Sequence, residues 1–507
     1  MKTTSLNKSI TRSAGIISFA TLISRILGYV RDVVIAGLSG VYVYTQAFVV
    51  AFKIPNLFRD FLGEGAANSA IIPVFSEYTV KHSKEEFWQL ANVVLNLLLI
   101  SLTIITLLGI ALSPLIVRIV APGFVADPHK LQTTITLTRF LFPYILLVGL
   151  AAYAMAMLNS LKHFSIPAFA PCFFNISMII FILIFGEGVK GLSFGVIIGG
   201  ILQLFIQIPI LYKKGFRLKF PRSLNHPAAK TIGRLMVPRV LSSGIYQLNN
   251  LIDTIFGSLA FIVGEGGVAA LYFAYRLILF PLGIFSTALS QAILPTFSRQ
   301  ALEDNQDNLK HTLSFGLRAT FFVMLPASVG FLILAKPIVS TIFQRGKFDI
   351  YATNITSNIL LFYSIGLVAY GAKRILQSCF FAMKDTVTPT KIAALALFIN
   401  IVLNAILIFP LKLGGIALAT SISGLITFFI LFFLLKKKVR SFDMRPINSS
   451  FLRILSASVG MGIFCYFLKE LNLLLTISAG IVAYVAFCFI FQVKEMQQLW
   501  NWFKKRA

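Results

Sequence analysis

Acidic residues are scarce in this chain: 18 Asp and Glu stand against 45 Lys and Arg in 507 residues, and all charged types together make up only 12%. Histidine (5), cysteine (4) and tryptophan (3) are rarer still. Each scarcity excludes something. Cys172, Cys379, Cys465 and Cys488 all stand in apolar stretches without short paired spacing, which argues against a disulfide framework and a zinc site and leaves them as packing residues. His82, His129, His163, His226 and His311 fall in or beside polar segments and form no H-E-x-x-H, so a metallohydrolase is disfavoured. A G-x-x-x-x-G-K-[ST] phosphate loop is also missing, which disfavours an ATP-driven pump. The chain is therefore expected to be neither an enzyme nor the holder of a cofactor. So low a charge content is also foreign to soluble domains.

What fills the chain is hydrocarbon: 57% hydrophobic residues, 49 of them phenylalanine, and a mean hydropathy of +0.85. Apolar runs of about 20 residues recur, each long enough as a helix to cross roughly 30 Å of bilayer core. The pattern predicts an all-α polytopic membrane protein with about fourteen spans, from 12–36 to 472–493. The second (43–63) and the eighth (267–296) carry enough polar residues for hydropathy alone to pass over them.

The net charge of +27 would point to nucleic acid in a soluble protein, but its distribution decides otherwise. With the N-terminus inside, alternate loops collect roughly 27 of the Lys and Arg on that side and roughly 8 on the other. Both termini are thus expected in the cytoplasm. The basic stretches 213–234 and 436–453 read as topology signals beside anionic membrane lipid, and no nucleic acid is expected as a partner. Arg25 and Arg31 interrupt the first apolar run and no small-residue cleavage site follows, so that span is expected to remain in the mature protein.

An internal repeat organises the spans. Ala47-Phe48-Val49-Val50-Ala51-Phe52-Lys53-Ile54 aligns with Ala270-Leu271-Tyr272-Phe273-Ala274-Tyr275-Arg276-Leu277, and Phe173-Phe174-Asn175-Ile176 with Phe398-Ile399-Asn400-Ile401, at an offset of about 222 residues. Six is even, so two six-helix halves, 1–220 and 221–445, should be parallel repeats with a substrate site at the repeat interface. Residues 446–507 add two spans outside the repeat.

Charges inside spans are the first functional clue, since each costs roughly 2.5 to 3.5 kcal/mol at bilayer depth unless it faces water, a partner or a ligand. In the first span Arg25 and Asp32 share a face, with Ser24, Gly28 and Arg31 alongside. Lys53, Asn56 and Asp60 form a stripe in the second, with Arg59 displaced to its side and Pro55 expected to bend the helix. Arg25–Asp32 and Lys53–Asp60 could be structural bridges. Arg31, Arg59 and Arg276 have no equally obvious acid, because Asp32, Asp60, Glu64 and Asp253 are all that lie at depth. An excess of buried cation predicts an anionic ligand, and the planar fork of Arg suits phosphate oxygens.

Ser24-Arg25-x-x-Gly28-x-x-Arg31-Asp32, Thr45-x-Ala47-Phe48-x-x-Ala51-Phe52-Lys53-x-Pro55-Asn56-Leu57-x-Arg59, Glu64-Gly65-Ala66, Pro73-x-Phe75-Ser76-Glu77-Tyr78, Tyr275-Arg276-Leu277, Phe280-Pro281-x-Gly283 and Asp385-Thr386-x-Thr388-Pro389 together resemble the MurJ/MviN family of lipid II flippases. That family belongs to the multidrug, oligosaccharidyl-lipid and polysaccharide exporter superfamily. The resemblance implies fourteen helices, a cationic cavity, and a groove for the lipid tail formed by the two C-terminal helices. It implies as substrate an undecaprenyl-pyrophosphate-linked disaccharide pentapeptide, carried across the bacterial inner membrane by alternating access for cell wall synthesis. Arg25, Arg31, Arg59 and Arg276 match the family's cavity arginines and Lys53 its cavity lysine; Ser24 and Asn56 share their faces and complete the expected substrate-binding set. Members often have acids where this chain has Gln46, Tyr275 and Leu279, so this cavity is expected to be more positive than usual. Replacing any of the four arginines by alanine is expected to stop transport without unfolding the protein.

A separate ion site is expected around Asp253, with Asn400, Asn404 and Thr420 offering hard oxygens to a sodium ion; the membrane potential is the other candidate driving force. Two further readings stay open: an exporter of another polyprenyl-linked glycan or of drugs, and a non-transporting scaffold that recruits cell wall synthesis enzymes through its basic loops.

Overall fold

The structure is a computed structural model describing residues 2–60, 70–220, 223–303, 306–439 and 443–504, with side chains described from residue 15 onward except at 237–243, 245–246 and 502–503. Glu64-Gly65-Ala66 lie outside the described residues. Most of these residues are helical, and no strand occurs among them. Two compact units divide them.

Unit 1 comprises residues 1–259 and 345–348. It contains α1 (Lys2–Ser39), α2 (Val43–Arg59), α3 (Ile72–Lys81), α4 (Lys84–Val120), α5 (Pro128–Leu141), α6 (Pro143–Ser160), α7 (Ser165–Phe185), α8 (Val189–Phe205), α9 (Ile208–Lys214) and α10 (Pro227–Gly257). Local chemistry starts these helices where expected. Ser83 accepts from Glu86 N ahead of α4, Asp127 from Lys130 N ahead of α5, and Pro stands at the first turn of α5, α6, α9 and α10. α1 packs on α7, and α7 on α8, where a Cβ at Gly199 would come within 2.9 Å of the Phe174 ring and 3.2 Å of its backbone. Small residues let membrane helices approach this closely when apolar burial gives no drive between them.

Unit 2 comprises residues 260–344 and 349–507. It contains α11 (Ala260–Val263), α12 (Gly267–Pro281), a π-helical turn (Leu282–Ser286), α13 (Thr287–Leu302), α14 (Gln306–Phe343), α15 (Ile350–Ala382), α16 (Val387–Lys438), α17 (Arg445–Leu468), α18 (Leu473–Ile490) and α19 (Lys494–Lys504). α15 packs between α14 and α16, and the extra helices attach through α17 on α14. α16 is not one straight rod: Lys412 has φ 51 and ψ −127, so the chain reverses there and Gly414 and Gly415 follow. All four cysteines are free and buried.

Among the described residues ten helices are long and apolar enough to cross a membrane. Dividing α16 at Lys412 and adding α1, α2 and α10 recovers the fourteen expected spans. The eighth expected span qualifies after all, whereas α1 and α10 join α2 among those that do not. These three carry Arg25, Arg31, Lys53, Arg59 and Asp253, the charges of the candidate site. Unit 1 runs to Leu259 and includes α10, which packs on α4 and α2.

Candidate functional site

In unit 1, α1 brings Arg31 and Asp32 to the face that meets α7. Both are buried, at 5% and 1% exposure. Arg31 donates from Nε (3.1 Å) and Nη2 (2.7 Å) to Asp32 Oδ1, and from Nη1 to Asn175 Oδ1 (3.1 Å). Asn175 in turn donates to the carbonyls of Ser24 (3.1 Å) and Pro171 (3.2 Å), so one amide ties the guanidinium to both helix backbones.

α2 supplies the second cluster. Lys53 Nζ donates to Asn250 O and Thr254 Oγ1 on α10, both at 2.7 Å. Those hydrogen bonds end on neutral oxygens, and the only acid on α10 is the buried Asp253. Six residues farther along α2, Arg59 donates to Asp60 Oδ1 from Nη2 at 3.1 Å, while Gln247 Nε2 donates to Asp60 Oδ2 at 2.8 Å. This pair is open, with the Arg59 side chain 43% exposed. Phe52, beside Lys53, stacks on Phe48 and Phe174 and tilts against Tyr144, with ring centres 5.4 to 6.0 Å apart. Such a wall fixes the helix carrying the lysine.

The structure pairs these acids differently from the bridges that spacing left open as an alternative. Asp32 pairs with Arg31 and not with Arg25, which is exposed, and Asp60 pairs with Arg59 and not with Lys53. Residues adjacent on a helix normally point apart. Here burial leaves the long Arg31 side chain no better-placed acid, and it folds back on its neighbour. Arg31 and Arg59 thus have acidic partners that spacing did not reveal. Ser24 and Asn56 are half-buried on the expected helices, Ser24 contributing its carbonyl to Asn175.

In unit 2, Arg276 on α12 donates from Nη2 to Tyr272 OH at 3.0 Å, with its guanidinium 5.1 Å from the centre of that ring. Sequence reasoning missed two cations in α15, Lys373 and Arg374, both half-buried. Arg374 donates to Thr287 Oγ1 (2.9 Å), which itself donates to Leu282 O (3.0 Å) at the start of the π-helical turn. Their lone position in a long apolar run was the available signal. Asn400, Asn404 and Thr420 do come together, all buried: Asn404 donates to Asn400 Oδ1 (2.9 Å) and Asn400 to Thr420 Oγ1 (3.0 Å). Asp253 belongs to unit 1. Among the described residues no group of three or more His, Cys, Asp or Glu could hold a metal ion. Asn175, Gln247 and Thr254 were missed; for Asn175 the signal was its alignment with Asn400 in the repeat.

Comparison with known proteins adds the following. The family model for lipid II flippase MurJ matches residues 35–485. A protein of Buchnera aphidicola subsp. Acyrthosiphon pisum, described as a probable lipid II flippase MurJ, is 37% identical over 82% of this chain and 81% of its own length. A solved structure of a lipid II flippase MurJ in an inward closed conformation superposes with a TM-score of 0.82 at 30% identity, covering 94% of this chain and 98% of that one. An inward-facing multidrug resistance MATE transporter of the MOP superfamily shares the fold at 16% identity and a TM-score of 0.70, over 84% of this chain and 98% of its own.

Proposed function

The chain belongs to the lipid II flippase MurJ family, and from that premise we propose which of its residues hold the lipid and what drives it across. The protein is a multi-pass membrane transporter that flips lipid II, and not an enzyme. Its buried cations engage the pyrophosphate. Lys53 carries this reading: its hydrogen bonds to Asn250 and Thr254 aim an ammonium without neutralising it. Arg59 adds an exposed fork six residues along α2, Arg31 on the adjacent α1 adds a buried guanidinium held by Asn175, and Arg25 supplies a further exposed charge. Ser24 and Asn56 act as polar neighbours on those helices. In unit 2 Arg276, aligned with Lys53 by the repeat, takes the corresponding role.

Transport proceeds by alternating access, the headgroup entering from the cytoplasmic leaflet of the inner membrane. Both termini lie in the cytoplasm on this reading, as the basic loops favour. The two-lobe division at 220 and 445 stands as a functional proposal beside the compact units. The polyprenyl tail stays in lipid along α17 and α18, whose Phe467, Leu474 and Val482 are all exposed. An inside-negative potential assists export of two pyrophosphate charges by about 4 to 5 kcal/mol per 100 mV. Sodium is the second candidate: the Asn400, Asn404 and Thr420 oxygens suit a small hard cation, and Asp253 is the acid whose charge such a site needs. Contacts of the basic loops with cell wall synthesis enzymes are a further proposal, to be tested by co-purification. Another polyprenyl-linked glycan as cargo finds no support beyond the shared fold.

The test is a flipping assay in liposomes, comparing lipid II with an unrelated polyprenyl-linked glycan for the wild type and Lys53→Met. Loss of lipid II flipping in a folded variant is expected. Wild-type rates in Lys53→Met overturn the assignment of Lys53.

A further inference from the structure

The span formed by α12 and α13 in unit 2 is interrupted at Leu282–Ser286 by a π-helical turn, which holds one residue more than an α-helical turn. Turns of this kind occur singly and often mark functional sites. Its first carbonyl, Leu282 O, accepts from both the N–H and the hydroxyl of Thr287, the latter at 3.0 Å. Two residues of α15 hold its far end. Ser286 donates to Gly371 O at 2.8 Å, and Arg374 donates to Thr287 Oγ1 at 2.9 Å. α15 comes this close because its Gly371 has no Cβ, which would lie 2.9 Å from Met324 and 3.0 Å from Thr320. Pro281, just ahead of the turn, has no N–H and so removes one i→i−4 hydrogen bond from α12. In unit 1 the repeat aligns Gly283 with Asp60, which is also in π-helical backbone and belongs to the candidate site.

An extra residue can pass along a helix. Each residue it passes turns by about 100° and advances by about 1.5 Å, while the helix on either side keeps its register. Arg276 stands on α12 a short way before the turn, donating to Tyr272 OH, and the bond that Pro281 removes is one that such a passage need not break. We propose that the extra residue moves past Arg276 during transport, so that the guanidinium takes up the lipid pyrophosphate in one state and is turned away from it in the other. Ser286 and Thr287, tied to α15, hold the extra residue in the position seen here, which makes Thr287 a positioning residue with Arg374 as its partner. The proposal rests on Arg276 as a ligand of the lipid. The same movement turns Ile278, 0% exposed in this structure, out of its packing.

Ile278→Cys in the full chain, with Cys172, Cys379, Cys465 and Cys488 replaced by alanine, reports the movement in proteoliposomes. A maleimide should label it while lipid II is being flipped and leave it unlabelled without lipid II. Thr287→Val removes the acceptor of Arg374 and the hydroxyl bond to Leu282 at nearly constant shape, and should raise the labelling without lipid II about tenfold; Thr287→Ser should restore the low level. Deleting Ile284, an exposed residue of the turn, takes out the extra residue and should stop flipping in a folded protein. Should the deletion variant not fold, labelling of Ile278→Cys with the turn intact decides alone. Wild-type flipping by the folded deletion variant, or no labelling of Ile278→Cys while lipid II is flipped, would overturn the proposal. Failure of Arg276 as a lipid ligand looks different: Arg276→Ala would flip at the wild-type rate with labelling during transport unchanged, which refutes the ligand and supports the turning.

Discussion

Removing Arg31 is expected to do two separable things. Arg31→Ala strips the guanidinium from an Asp32 carboxylate that is 1% exposed and from the Asn175 amide oxygen 3.1 Å away. A buried charge left without its partner costs about 3 to 5 kcal/mol. At about 2 to 4 °C per kcal/mol for a unit of this size, the unfolding midpoint falls by roughly 6 to 20 °C. Spacing along α1 gave no reason to expect this loss, because it left Arg31 without an obvious acid. Arg31→Met combined with Asp32→Asn removes both charges at nearly constant volume and should recover most of the stability, since neutral replacement of a buried pair is often close to neutral. Thermal unfolding in detergent, followed by tryptophan fluorescence, measures the first effect for both variants. Lipid II flipping in liposomes measures the second, and transport should stay lost in the stable double variant if the Arg31 charge serves the pyrophosphate. Wild-type flipping by the double variant would refute this, reducing Arg31 to a bridge between α1 and α7.

The other pairs differ in exposure and so in expected cost. Arg59→Ala should change stability by no more than about 1 kcal/mol, because its bridge to Asp60 is open to solvent, yet abolish flipping; a drop comparable to that of Arg31→Ala would contradict the open geometry. Between α15 and α16, burial raises the pKa of Asp385, but the Lys438 ammonium and the Thr388 N–H and O–H outweigh it and hold the carboxyl down at about 2, below its ordinary 3.8. The stability it contributes is therefore complete above pH 3.8 and is lost as pH falls through about 2. Midpoints of the wild type and Asp385→Asn should accordingly differ at pH 5 and converge toward pH 2. Asn404→Asp adds a carboxylate to the Asn400 and Thr420 oxygens and should lower the sodium concentration for half-maximal flipping; a sodium-independent rate in both forms would remove the ion site, leaving the potential as driver.

Hydropathy and charge read along the chain determined the class of protein, an all-α membrane protein of many spans, and picked out most of the cations that stand in those spans. These are one-dimensional properties: a bilayer demands about 20 apolar residues per crossing, and any charge within one stands out against that demand. Tertiary structure decided what each cation touches. Spacing along a helix says which residues share a face, not which acid a long side chain will reach once one route to water is closed. Hence Arg31 turned back to Asp32, and Asn175 and Gln247, uncharged and so invisible to a search for charges, became the groups that hold the ion pairs in place. The same holds for α10. Its hydropathy does not say that Lys53 anchors on its Asn250 carbonyl and Thr254 hydroxyl, or that it packs on α4 and α2. Packing between distant helices is settled by shape and by the satisfaction of buried polar groups, which no linear pattern of hydropathy encodes.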